Sequence, residues 1–182
     1  MNKYNPHIHH RRSIRLRGYD YSQAGLYFLT MCVQNRECLF GEINNGKMIL
    51  NDAGTMIGKW YHELENKFSD ICCHEMITMP NHFHCIIENT GTESPKTHLP
   101  IVDITGEHAG SPLHLVVQWF KTMTTNEYIR GVKSLGWQPF NNKLWQRNYW
   151  EHIIRNEQSY RNISDYIANN PAKWNDDTFF TL

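Results

Sequence analysis

The sequence predicts an α+β domain of ferredoxin-like architecture: an antiparallel sheet with helices on one face, and an additional helix at the C-terminal end. Three observations carry this reading. Runs rich in β-branched and aromatic residues alternate with helix-spaced apolar stripes in the order strand, helix, two strands, helix, strand. That order is the split βαβ pattern. A further helical stretch, ended by Pro171, follows the last strand. The length of 182 residues fits one core and falls short of two full-sized domains.

Residues 26–33, Leu-Tyr-Phe-Leu-Thr-Met-Cys-Val, read as a central strand. Gly41 and the turn Asn44-Asn45-Gly46 bracket two short segments, 38–43 and 47–50, as a β-hairpin. Asn51 or Asp52 caps a helix reaching about Phe68, with Met56, Ile57, Trp60, Tyr61 and Leu64 on one face. Strands follow over 71–79 and 83–88, separated by Pro80-Asn81. Residues 89–110 are polar and rich in turn formers, the composition of a flexible loop. Ser111 and Pro112 open a second helix to about Arg130, with Leu115, Val116, Phe120 and Met123 as its stripe. A strand over 144–154 and a last helix from Glu157 to about Asn170 complete the order.

Composition excludes several classes. With 40% apolar and 13% aromatic residues the chain is not disordered, and it has no apolar run of the roughly 18 residues that a span needs. The N-terminus lacks the apolar core of a secretory signal, so a cytoplasmic protein without a membrane partner is expected. Five cysteines without a C-x-x-C pair argue against a disulfide framework or a cysteine-rich zinc site. The formal net charge of zero gives no support to a nucleic-acid partner. The distribution is more telling. Arg11, Arg12, Arg15 and Arg17 crowd a basic arm over 1–20, which is either a solvated tail or a surface that neutralises phosphates.

The sharpest feature is Met79-Pro-Asn-His-Phe-His-Cys-Ile-Ile87. Side chains at i and i+2 of a strand share a face, so His82 and His84 point together while Phe83, Cys85 and Ile87 turn inward. Two neutral imidazoles held this way make half of a divalent-cation site. Alone, they equally describe two surface histidines between core residues. The last helix offers Tyr166 and Asn170, one turn apart on one face. Asn170 brings an amide oxygen, a ligand for a hard cation. Tyr166 brings a phenol whose ordinary pKa near 10 demands activation or a polarised target. Tyr149 and Tyr160 lie nearby, but only Tyr166 has an amide one turn onward and a proline just after it.

Pro80-Asn-His-Phe-His84, Leu144-Trp-Gln-Arg-Asn-Tyr-Trp-Glu-His-Ile-Ile-Arg155 and Asp165-Tyr-Ile-Ala-Asn-Asn-Pro171 resemble the REP-associated tyrosine transposases. Those belong to the single-tyrosine transposases with a His-hydrophobic-His motif. Arg11-Arg-Ser-Ile-Arg-Leu-Arg-Gly-Tyr-Asp-Tyr21 and Gly25-Leu-Tyr-Phe-Leu-Thr30 match as well, so the resemblance runs nearly the length of the chain. It implies a catalytic domain over 21–182, with His82 and His84 as metal ligands and Tyr166 as the nucleophile on the C-terminal helix. Asn170 stands where the superfamily has a third, amide ligand, often glutamine; the shorter side chain reduces its reach. Glu88, on the same strand face, is the alternative ligand.

The resemblance further implies a divalent cofactor, Mg²⁺ or Mn²⁺, orienting a scissile phosphate. Tyr166 then forms a 5′-phosphotyrosine in single-stranded DNA beside short palindromic hairpins. The arginines of the arm, together with Lys121, Trp145 and Arg147, are the expected DNA contacts. Monomer and homodimer are both compatible with it. Two other readings stay open: a domesticated protein that binds hairpin DNA without transposition, and a metal-dependent hydrolase, which would require a further carboxylate near the histidines.

Overall fold

The computed structural model describes residues 19–91 and 110–180. Arg11, Arg12, Arg15 and Arg17, and nearly all of the loop expected over 89–110, lie outside the described residues. Strands β1 (Gly25–Cys32), β4 (Ile71–Thr78), β5 (His82–Asn89) and β6 (Trp150–Ile154) form one antiparallel sheet in the order β4-β5-β1-β6. The sequential first and second strands of this sheet flank the third, and the fourth closes the other edge, which is the ferredoxin-like arrangement. Strands β2 (Gly41–Asn44) and β3 (Lys47–Leu50) make the separate hairpin. Its turn has positive φ at both Asn45 and Gly46, as a tight hairpin with the native twist requires.

The sheet separates two apolar layers. Helices α1 (Asp52–Lys67) and α2 (Leu113–Ser134) cover one face, where Tyr27, Leu29, Phe83, Cys85 and Ile87 meet Ile57, Tyr61, Val116 and Phe120. Helix α3 (Glu157–Asn169) lies on the opposite face, its Ile167 packed with Phe28, Ile86 and Ile154. The alternation of β5 explains the division: odd-numbered residues enter the larger core, and His82, His84, Ile86 and Glu88 look towards α3. Asn51 caps α1 by accepting from the Gly54 N–H at 2.8 Å, and Asn156 caps α3 through the Ser159 N–H at 2.8 Å.

Three expectations are corrected. Ser111 does not cap α2: its N–H and hydroxyl both go to the buried Asp70 carboxylate, and the helix begins at Leu113. The buried stripe of α2 runs through Leu113, Val116, Val117, Phe120, Thr124 and Tyr128, which leaves Leu115 46% exposed. The last strand is shorter than expected. Residues 144–149 are irregular, joined to the end of β1 through a Val33–Trp145 bridge and the Gln146 N–H to the Cys32 carbonyl at 2.9 Å.

Trp145 explains that irregular stretch. It is buried, and its indole N–H donates to the Thr124 hydroxyl at 2.9 Å, while that hydroxyl donates to the Phe120 carbonyl at 2.8 Å. Thr124→Val keeps the shape and removes the acceptor, which orphans a buried N–H. A loss of about 1–3 kcal/mol is expected. It should show as a lower urea midpoint at unchanged slope; an unaltered midpoint would mean that the indole bond contributes nothing.

Candidate active site

The site is built where β5 passes between β1 and β4. The register places Thr30 opposite His84 and Cys32 opposite His82. Paired residues share a face, and the Thr30 hydroxyl meets His84 Nδ1 at 2.8 Å, turning Nε2 outward. His82 is fixed by its chain neighbour. The Asn81 amide nitrogen donates to the carbonyls of Arg36, at 3.2 Å, and Phe179, at 2.8 Å. Its oxygen therefore faces His82 Nδ1, at 2.9 Å, and accepts from it. That assignment puts the proton of neutral His82 on Nδ1 and a lone pair on Nε2.

Both rings are dry. His82 is fully buried and His84 nearly so, with centroids 4.5 Å apart. Phe28 stacks on His84 at 5.3 Å, and Phe179 and Trp174 lie against His82 at 4.7 and 6.0 Å. Burial pushes the His82 pKa down to about 4; the Arg36 charge adds to this, and Asp177 and the Asn170 amide oppose it. Burial and then the neighbouring His82 hold His84 well below the ordinary range. The pair is neutral at physiological pH and offers lone pairs rather than charges.

Helix α3 brings Tyr166 over this pair. Its hydroxyl is 3.3 Å from His84 Nε2, its ring meets Phe28 edge-on at 6.0 Å, and the residue is 41% exposed. Burial of the phenol, then the Asp177 charge, raises its pKa, while Asn170 acts in the opposite direction. One turn on, Asn170 is buried, and its Oδ1 has no hydrogen-bond partner. His82 Nε2 has none either. A buried polar atom without a partner is costly, and two of them on neighbouring side chains are what a cation-binding pocket leaves behind.

The carboxylate nearest the pair was missed by sequence reasoning. Asp177 follows the 3₁₀ turn Pro171–Asp176, and its carboxylate is 5% exposed. Oδ1 accepts from the Phe179 N–H at 2.7 Å, and Oδ2 lies 3.9 Å from His82 Nε2. One donor atom each from His82, His84 and Asp177 falls within 4.8 Å of the others. Two imidazoles, a carboxylate and an amide oxygen fit a divalent metal ion. Arg36 secures this segment by donating to the Thr178 carbonyl at 2.8 Å, with its guanidinium 5.5 Å from the Phe179 ring centre. Nothing in the periodicity around 177 marks it, because the contact is made across the fold.

The remaining expected residues fall elsewhere. Glu88 pairs with His74 at 2.9 Å, at the far end of the strand. Tyr160 donates to Glu75 at 2.7 Å. Trp145 is a core residue and is closed to a stacking base. Lys121 is half-buried, desolvation lowers its pKa to about 8, and it donates to the carbonyls of Gln146 and Asn148 at 2.9 and 3.3 Å. Its charge is occupied in holding the loop before β6. Arg147 is exposed.

No family model matches the chain. A Haemophilus influenzae relative described only as "Uncharacterized protein" is 40% identical over 185 residues, 98% of this chain and 97% of its own. A second protein of that species, "Putative REP-associated tyrosine transposase", is 24% identical over 163 residues, covering 85% of this chain and 74% of its own. The Escherichia coli K12 "REP-associated tyrosine transposase" is 53% identical over a 30-residue segment, 16% of this chain and 18% of its own. The chain is thus similar, over most of its length and over a short segment respectively, to two proteins named as REP-associated tyrosine transposases.

The buried histidines set a pH dependence. His82 titrates at about 4 when folded and near 6.5 when unfolded, so between those values the unfolded chain binds more protons. Its contribution to stability is full above about pH 6.5 and is lost as pH falls towards 4. The thermal midpoint of metal-free protein should drop across that window, and His82→Gln should flatten the drop. An equal slope in wild type and variant would remove His82 as its source.

Proposed function

We propose that this protein is a transposase that cuts and rejoins single-stranded DNA at short hairpin repeats through a covalent phosphotyrosine on Tyr166, with a divalent cation held by His82, His84, Asn170 and Asp177. The observation that carries the reading is the Tyr166 hydroxyl 3.3 Å from His84 Nε2, beside the partnerless His82 Nε2 and Asn170 Oδ1. A nucleophile and a set of lone-pair donors converge on one point.

When bound, the cation supplies Lewis-acid polarisation of the phosphate and a positive charge that favours phenolate. The chain's own residues do the positioning. Thr30 and Asn81 orient the two imidazoles, and Phe28 holds the Tyr166 ring on edge. Phe179 and Trp174 exclude water from His82, which keeps its lone pair free of competing hydrogen bonds. In the cleavage step the Tyr166 oxygen bonds to phosphorus as the bond to the 3′ oxygen breaks. The departing strand keeps a 3′-hydroxyl, which takes up a proton in place of the one the phenol releases. Reversal with another 3′-hydroxyl rejoins DNA, and one phosphodiester replaces another without a nucleotide cofactor.

Asp177 also meets the requirement of a metal-dependent hydrolase for a carboxylate beside the histidines. Adduct formation separates the two readings. With labelled single-stranded hairpin DNA and Mg²⁺ or Mn²⁺, wild type should give a denaturation-resistant protein–DNA adduct. Tyr166→Phe should abolish it and keep DNA binding, and Tyr149→Phe should leave it intact. Adduct formation by Tyr166→Phe would overturn the assignment; strand cleavage without any adduct would favour the hydrolase.

The donor set has its own test. Mn²⁺ should raise the thermal midpoint of wild type. His84→Gln should abolish the increment, and Asn170→Ala and Asp177→Asn should each reduce it. An increment untouched by all three would locate the cation elsewhere.

A further inference from the structure

Helix α3 covers only part of the sheet face on which it lies. It reaches outward over β4, where Tyr160 bonds to Glu75, and Ile167 packs against Ile86. On the other half of that face, Phe28 and Thr30 of β1, Trp150 and His152 of β6, and Asn162 and Tyr166 of α3 line an open cleft of about 930 Å³. His84 is part of its wall, so the cleft is continuous with the site described above.

Its chemistry is specific. None of its lining residues is a lysine, arginine, aspartate or glutamate. Trp150 is 49% exposed, and its ring lies parallel to that of His152, within 6° and with centroids 5.9 Å apart. Opposite, the Gln158 amide donates to the Asn162 oxygen at 2.9 Å. That bond orients the two amides and leaves an acceptor on Gln158 and a donor on Asn162. An aromatic platform facing an amide donor–acceptor pair suits the face and edge of a nucleobase, and the lining holds no lysine or arginine to neutralise a phosphate.

The charge lies next door. A second cleft of about 730 Å³ shares Gln146 and Tyr149 with the first and carries Lys143 and Arg147. A strand crossing both would meet cations along its backbone and aromatic rings under its bases, the division of labour of single-strand sites.

We infer that the cleft between β6 and α3 seats an unpaired nucleobase of the DNA strand next to the phosphate offered to Tyr166. Trp150 and His152 form its stacking platform, and the Gln158–Asn162 amides contact its edge. The inference rests on the reading of Tyr166 as a nucleophile towards DNA, and its test is independent of cleavage.

The probes are fluorescein-labelled oligothymidylate and a fully abasic strand of the same length and charge, followed by anisotropy without metal. Wild type should bind oligothymidylate more tightly than the abasic strand. Trp150→Ala should weaken oligothymidylate binding about 5- to 150-fold, the range of base–aromatic stacking, and leave the abasic strand unaffected. Trp150→Phe should retain most of the preference and shows that the site still folds. Equal losses on both strands, no loss on either, or a preference lost equally in Trp150→Phe would overturn the inference. If the preference depends on Trp150 but Tyr166 forms no adduct, the base cleft stands and the nucleophile reading falls; an adduct with a Trp150-independent preference gives the reverse.

Discussion

The pairing of β5 with β1 is the constraint on which everything else depends. In a strand the side-chain period is two, so register decides which residues meet α3 and which enter the larger core. With Thr30 opposite His84, the two histidines look towards Tyr166 while Phe83, Cys85 and Ile87 fill the layer under α1 and α2. A slip by one residue would put both imidazoles into an apolar core and expel Phe83. The large core therefore enforces the geometry of the site. Removing Phe83 and Ile87 together from that layer costs more than the Thr30–His84 hydrogen bond returns.

The same packing explains why the site is chemically poised. The rings of Phe28, Trp174 and Phe179 keep water from the histidines, and the resulting desolvation holds them neutral, as lone-pair donors must be. It also raises the Tyr166 pKa, which keeps the phenol protonated. One cause keeps the imidazole lone pairs free and the phenol protonated. Positive charge placed among His82, His84 and Asp177 acts on the phenol against that burial.

Much of this was legible in the sequence because it is local. The i, i+2 histidines, the one-turn spacing from Tyr166 to Asn170, the Asn51 cap and the stripe of α1 are all short-range patterns, and the structure has them in those places. What was not legible is made by contacts across the chain. Ser111 has the composition of a cap, yet Asp70 takes both of its donors. Trp145 reads as an exposed aromatic until Thr124 is seen to satisfy its N–H. Asp177 lies in a segment without periodicity and gains its place from Arg36 and Asn81, which hold the neighbouring carbonyls.

The edge strand β4 contains one irregularity whose consequence reaches the site. Its pairing with β5 shifts between Cys73 and Met76, an extra residue relative to β5, and the Tyr61 hydroxyl donates to the Ile86 carbonyl at 2.5 Å and the His74 carbonyl at 3.3 Å beside it. Such a bulge works as a notch. A regular edge could creep along its neighbour by two residues and find equivalent partners, whereas β4 seats in only one phase. The strand that carries the histidines is thus keyed on its outer side as well as packed on its inner one, and its alignment is lost only when the sheet itself comes apart.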